Sequence, residues 1–142
     1  MKFTKVYREV HILIQEYDDQ IKEVKKMNDI EIESELVTFV EQVRKNDQIW
    51  ALGAEDGGVV VCESNQFEET DVLLIWDSEQ KAQAQCKDEW QDYSPVAIAL
   101  DEFLDEWVED LNEDQALFGL NWNDDNVCVE IEPVGLARAL VD

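Results

Sequence analysis

The chain has 142 residues, 45% of them hydrophobic, with 35 acidic and 11 basic side chains and a formal net charge of −24. That length suits one domain able to bury about 68–70% of its unfolded surface without a disulfide or metal staple. The charge argues against nucleic acid and anionic membrane as partners, since both would repel it, and no apolar run approaches the ~18 residues of a membrane span.

The charge is unevenly spread. Residues 1–48 hold 8 basic and 11 acidic side chains, whereas residues 49–142 hold 3 basic (Lys81, Lys87, Arg138) and 24 acidic ones. The first twenty residues show one short apolar patch broken by charge and no small-residue cleavage site, so no signal peptide is expected. Cys62, Cys86 and Cys128 are odd in number and far apart. Buried thiols in a reducing, cytoplasmic setting fit them better than a disulfide framework.

In chain order, residues 3–27 predict one long amphipathic helix. Phe3, Tyr7, Val10, Ile14, Tyr17, Ile21 and Val24 recur at alternating spacings of four and three, a heptad-like stripe. Phe and Tyr suit a coiled-coil seam poorly, so a helix lying on its own domain is favoured over a dimerisation helix. The stripe loses phase at Asn28-Asp29, and Ile32, Leu36, Phe39 and Val43 predict a second helix over 30–45, capped by Asn28 or Asp29. Residues 49–64 read as a hairpin around Asp56-Gly57-Gly58.

The run "VLLIW" at 72–76 predicts a strand buried on both faces. Asp77 or Ser78 then caps a helix over 79–91, with Gln80 at a capping-box position and Ala82, Cys86 and Trp90 on one face. Tyr93-Ser94-Pro95 ends it. A strand over 96–100 follows, and Asp101 caps a helix over 101–111. Phe103, Leu104, Trp107, Val108 and Leu111 form the buried stripe of that helix. Two more strands, 116–122 and 127–131, flank the turn 123–126. Glu132-Pro133 opens a helix over 134–141 with Leu136, Ala137 and Leu140 inward. The fold class is therefore α+β: one domain over 29–142, with a mixed sheet of about six strands and helices packed on it, preceded by the amphipathic helix of 1–28.

The segments "IWALGAEDGGVVV", "VLLIWDSEQKAQAQC", "EWQDYSPVAIALDEFLDEWVEDLNED" and "LFGLNW…VEIEPVGLARAL" resemble the bacterial family called domain of unknown function 2750, over about residues 36–140. The layout of strand, helix and "NW…EP-helix" is also similar, more faintly, to the N-terminal domain of SseB-like proteins. Neither resemblance implies an activity, a cofactor or a catalytic residue. Relatives often end the strand before the first helix in Trp-Pro, where this chain has Trp76-Asp77.

No chemistry-bearing motif emerges. The single histidine, His11, has no nucleophile near it in sequence, and the cysteines lack zinc-knuckle spacing. Asn121, Asn123, Asp125 and Glu132 fall at four places of a calcium-loop count, but Asn126 replaces the usual Gly, and a hairpin with a polar turn explains the same letters. No catalytic, cofactor or metal residue is therefore assigned. The five tryptophans fit apolar positions and read mostly as core.

Two readings of function result. The first is a non-enzymatic acidic interaction or regulatory module that binds a basic protein. Its face is the stripe Asp101, Glu102, Asp105, Glu106, Glu109 and Asp110, continued by Glu113 and Asp114. Like charges four apart disfavour a helix, and no Lys or Arg within that helix relieves them. The partner could equally be a second copy, through the lysines near the end of the N-terminal helix. The alternative is a small-molecule binder or enzyme whose site assembles only in the fold.

Overall fold

The structure is a computed structural model and describes residues 4–7, 29–55, 57–64, 67, 69–124 and 127–141. Its elements in order are β1 (Thr4–Tyr7), α1 (Asp29–Asn46), β2 (Gln48–Gly53), β3 (Gly58–Glu63), β4 (Asp71–Ile75), α2 (Glu79–Ala84), a 3-10 turn (Asp88–Trp90) and β5 (Ser94–Ala99). Then comes α3, a continuous helical run over 100–113 whose middle, Phe103–Trp107, is π-helical. β6 (Leu117–Leu120), β7 (Val129–Ile131) and α4 (Pro133–Val141) complete the fold.

The strands form one mixed sheet in the order β5-β2-β3-β4-β6-β7, and β1 joins it by pairing parallel with β3 from Thr4↔Gly58 to Tyr7↔Val61. β2 pairs antiparallel with β5 along its whole length, Gln48↔Ala99 to Gly53↔Ser94. β4 and β6 run parallel, Val72↔Leu117 to Ile75↔Leu120. The expected α+β class and mixed sheet are thus present. Thr4–Tyr7, expected as the first turn of the N-terminal helix, is a strand instead; Thr, Val and Tyr favour a pleated backbone, and the segment pairs parallel with β3. The rest of that expected helix lies outside the described residues.

The central strands of the sheet are buried on both faces. One carries α1, α3 and α4, with Phe39, Ile49, Leu73, Ile75, Phe103, Trp107, Phe118 and Leu136 at its centre. The other carries α2 and the 3-10 turn over Leu52, Val60, Leu74, Trp76, Trp90 and Trp122. This accounts for the unbroken apolar run at 72–75, where alternate side chains enter opposite cores. Ser64 Oγ, just past β3, donates to Glu130 Oε1 of β7 at 2.6 Å. In a flat sheet those strands would stand roughly 14 Å apart, three spacings, so the sheet must coil around its second face.

The expected start of α2 at Glu79 is present, whereas its end and the start of α3 shift. Ser78 is the cap of α2, accepting from Lys81 N at 3.2 Å; the third helical position is then Lys81, so Gln80 makes no capping box. The helix stops at Ala84 rather than 91, and Asp88 takes a left-handed φ of 52° to open the 3-10 turn. Ala82, Cys86 and Trp90 still meet the second core, but two separate turns deliver them. Finally, α3 begins at Leu100 with Ala99 at the cap and no side-chain bond. Asp101 lies inside the helix, its Oδ1 accepting from Glu102 N at 2.9 Å.

Candidate interaction face

α3 owes its position to its apolar row. Phe103, Trp107 and Leu111 are all buried, and the Phe103 ring lies 4.9 Å from that of Phe118 on β6. Positions four apart on an α-helix drift by about 40° per step, so a row sustained over eight residues would leave the sheet. The wider turn at Phe103–Trp107 winds back against that drift. Segments of this kind recur where helices carry functional groups.

The same correction straightens the opposite side. Asp101, Asp105, Glu109 and Glu113 are exposed in one row, and Glu102 is exposed beside it. Glu106 and Asp110 are half-buried at the flank, and Asp110 Oδ2 is enclosed without a hydrogen bond among the described residues. The predicted stripe is therefore one helix side, but its six named members divide into four exposed carboxylates (101, 102, 105, 109) and two half-buried ones (106, 110). From residue 88 to residue 137 the chain contains no lysine, arginine or histidine and 15 acidic residues.

β5 adjoins this helix directly and ends the sheet. Of its residues only Ile98 is fully buried, while Ser94, Val96, Ala97 and Ala99 are exposed. The sequence predicts the strand, but its place at an edge has little local signature. Pro95 is the one available signal, since proline in sheets is confined to edges, starts and bulges.

A second polar cluster lies at the carboxyl ends of parallel β4 and β6, where open α/β sheets commonly bind ligands. Asp77 is fully buried. Its Oδ2 accepts from Asn121 Nδ2 at 3.0 Å and from Lys81 Nζ at 3.2 Å, and Asn121 Oδ1 accepts from Asp77 N at 3.1 Å. Oδ1 lies 3.0 Å from the same ammonium, an ion-pair contact without hydrogen-bond geometry. Asn121 holds φ at 55°, which asparagine tolerates better than most residues. Trp76 Nε1 donates to Trp122 O at 2.9 Å, and Trp122 meets Trp90 edge-on at 5.9 Å. These indoles close over the strand ends, so Asp77 is a structural clamp with its charge already met. Sequence reasoning missed the pair, whose members lie 44 residues apart.

Beyond the clamp, Lys87 Nζ donates to Asp124 Oδ1 at 2.7 Å and Gln85 Nε2 donates to the same oxygen at 3.2 Å. The bond to Asp124 raises the Lys87 pKa, and the bonds from Lys87 and then Gln85 lower that of Asp124. All three cysteines are free thiols. Burial pushes the Cys86 thiol up, and burial, then the Glu130 charge, then Cys62 push Cys128 well above the ordinary thiol range. Part of Cys128 reaches the surface, but its sulfur points inward, 3.0 Å from where a Gly119 Cβ would stand. Neither Cys86 nor Cys128 has the lowered pKa of a reactive thiol. Among the described residues no His, Cys, Asp and Glu gather in a metal-holding group, and no helix is long and apolar enough to cross a membrane.

The chain matches no curated protein and no solved structure. A family model, described as protein of unknown function (DUF2750), matches residues 36–140. That span runs from α1 through α4 and covers well over half of the chain, including both cores, the clamp and the acidic helix. The chain therefore belongs to the DUF2750 family of proteins of unknown function.

Proposed function

We propose that the protein is a non-enzymatic acidic docking module for a basic protein segment, with the outward carboxylates of α3 as its face. The observation that carries this reading is the straight, exposed row of Asp101, Asp105, Glu109 and Glu113 with Glu102 beside it. It is set in fifty residues without a cation. A fixed row of like charge costs helix stability and raises the encounter rate of an oppositely charged partner. A reducing compartment such as the cytoplasm suits the three free thiols.

The test is affinity capture of the tagged protein from its native host beside the variant Glu102→Gln, Asp105→Asn, Glu109→Gln. These side chains are exposed, so the fold should tolerate the change. A stoichiometric basic protein lost by the variant supports the reading, and an unaltered set of bound proteins contradicts it. The competing reading, a small-molecule binder or enzyme, would need groups near Asp77; a metabolite retained by the purified protein would favour it.

A further inference from the structure

We infer that the outer edge of β5 is a strand-addition site for an extended segment with small or apolar residues in its middle and lysine or arginine at both ends. This rests on the docking reading above and narrows it to a backbone-led mode of binding.

The argument begins with the ladder between β2 and β5. In an antiparallel pair, each residue's N–H and C=O point to the same side, and successive residues alternate sides. Trp50 exchanges both of its backbone bonds with Trp76, N→O 2.9 Å and 2.7 Å in return, on the side away from β5. Trp50 therefore has none left for Ala97 opposite it. The bonded pairs must be Ile49–Ile98 and Ala51–Val96, and the bond from Leu100 N to Asp47 O at 2.9 Å continues the same alternation. The N–H and C=O of Ala97, the C=O of Pro95 and the N–H of Ala99 then point off the sheet. Pro95 occupies an outward position, where its missing N–H costs the ladder nothing. No strand among the described residues pairs with that edge.

Exposed edges are normally blunted by lysine, by inward charge, by bulges or by short length. β7, at the other end of the sheet, is short, with three residues. β5 has six residues, no charged side chain and no bulge in its register. From Pro95 to Ala99 it offers about 13 Å of backbone beside small side chains and a Val96 that is 40% exposed. Peptide addition to such an edge takes affinity from main-chain bonds and specificity from flanking groups.

The flanks are acidic at both ends. Asp92 stands just before β5, Asp101 and Glu102 stand just after it, and all three are exposed. An antiparallel second copy centred on Ala97 would set Asp92 of one chain against Glu102 of the other, like against like. A segment with cations at both ends meets opposite charge in either direction. The ends of the strand thus disfavour self-pairing and favour a basic guest.

The test is amide hydrogen exchange by NMR on the full chain, free and with the synthetic peptide Lys-Arg-Val-Thr-Val-Thr-Arg-Lys. A control peptide carries proline in place of both threonines at equal charge. In the free protein, the Ala97 and Ala99 amides should exchange fast, alternating with slow Val96, Ile98 and Leu100. The basic peptide should protect Ala97 and Ala99, and the control should not. Ala97→Pro removes only the outward donor and should weaken binding about tenfold, the worth of a main-chain bond or two.

Binding that leaves both amides unprotected, or equal binding of the control, overturns the β5 site while the acidic docking reading stands. No binding at low salt overturns both. Protection of Ala97 and Ala99 in the free protein that grows with concentration overturns the basic guest in favour of a second copy. If Ala97→Pro fails to fold, protection in the wild-type protein decides alone.

Discussion

The backbones of Trp50 and Trp76 bond to each other in both directions, and this bridge connects β2 directly to the end of β4. It has two consequences. It draws the sheet together where Asp77 and Asn121 clamp the parallel strands. It also turns Trp50's polar groups away from β5, so that Ala97 faces outward. The geometry of the central clamp thus sets which backbone groups the edge strand exposes.

Trp107→Ala should destabilise the fold by about 3–5 kcal/mol, the usual cost of deleting a core aromatic. Trp107 is 4% exposed in the larger core. Denaturant melts would read the loss directly, and a shift below about 1 kcal/mol would mean the indole is not core.

Gly119→Ala should cost about 1–3 kcal/mol through overpacking. A Cβ there would stand 2.8 Å from Val72 Cγ1, 2.9 Å from Leu74 Cδ2 and 3.0 Å from Cys128 Sγ. Side chains on three sides leave it no direction of escape. The paired variant Gly119→Ala, Val72→Ala should recover part of the loss in thermal melts.

Asn121→Asp should destabilise the protein at neutral pH and less so in acid. It would set a second carboxylate at the position of an amide 3.0 Å from Asp77 Oδ2, with Lys81 as the counter-ion shown. Two carboxylates this close resist ionising together. Melts against pH should therefore show the gap to wild type narrowing as pH falls into the carboxylate range. A gap independent of pH would mean the clamp acts through backbone shape alone.

Stability should decline as pH rises through the ordinary thiol range. The folded Cys128 thiol is held protonated by burial, whereas the unfolded one ionises normally. The unfolded state then binds fewer protons, and stability falls with rising pH. Cys86 acts in the same direction. The contribution of the Lys87 bond, present below the ordinary lysine pKa, is also lost as pH climbs through its raised value. Cys128→Ala should flatten the thiol part of this limb in denaturant melts.

Much of this fold is legible in the residues because its signals are local. The period of Ile32, Leu36, Phe39 and Val43 marks α1, the glycines Gly57-Gly58 mark the β2–β3 hairpin, and Pro133 opens α4 as its first residue. What escaped is set by distance or by phase. Spacings of three and four look alike in an α-helix and in one with a π turn, so Phe103–Trp107 was invisible. The Asp77–Asn121 clamp joins residues with no local signal. Ala82, Cys86 and Trp90 mark the right face, but bonds from Gln85 and Lys87 to distant Asp124 accompany the break in their helix. The acidic stripe was readable as a row. Its division into outward and half-buried members, and its place beside a free strand edge, depend on sheet order.

The claim that α3 and β5 form a docking face for a basic segment is tested most directly by titrating the labelled peptide Lys-Arg-Val-Thr-Val-Thr-Arg-Lys. It would be titrated into wild type and into the Glu102→Gln, Asp105→Asn, Glu109→Gln variant by fluorescence anisotropy. Salt would be raised from about 0.1 M to about 1 M, which shortens the Debye length from about 10 Å to about 3 Å. Wild type should bind the peptide and lose it steadily as salt rises, and the variant should bind more weakly with a shallower salt dependence. Equal affinity and equal salt dependence for the two proteins would contradict the claim.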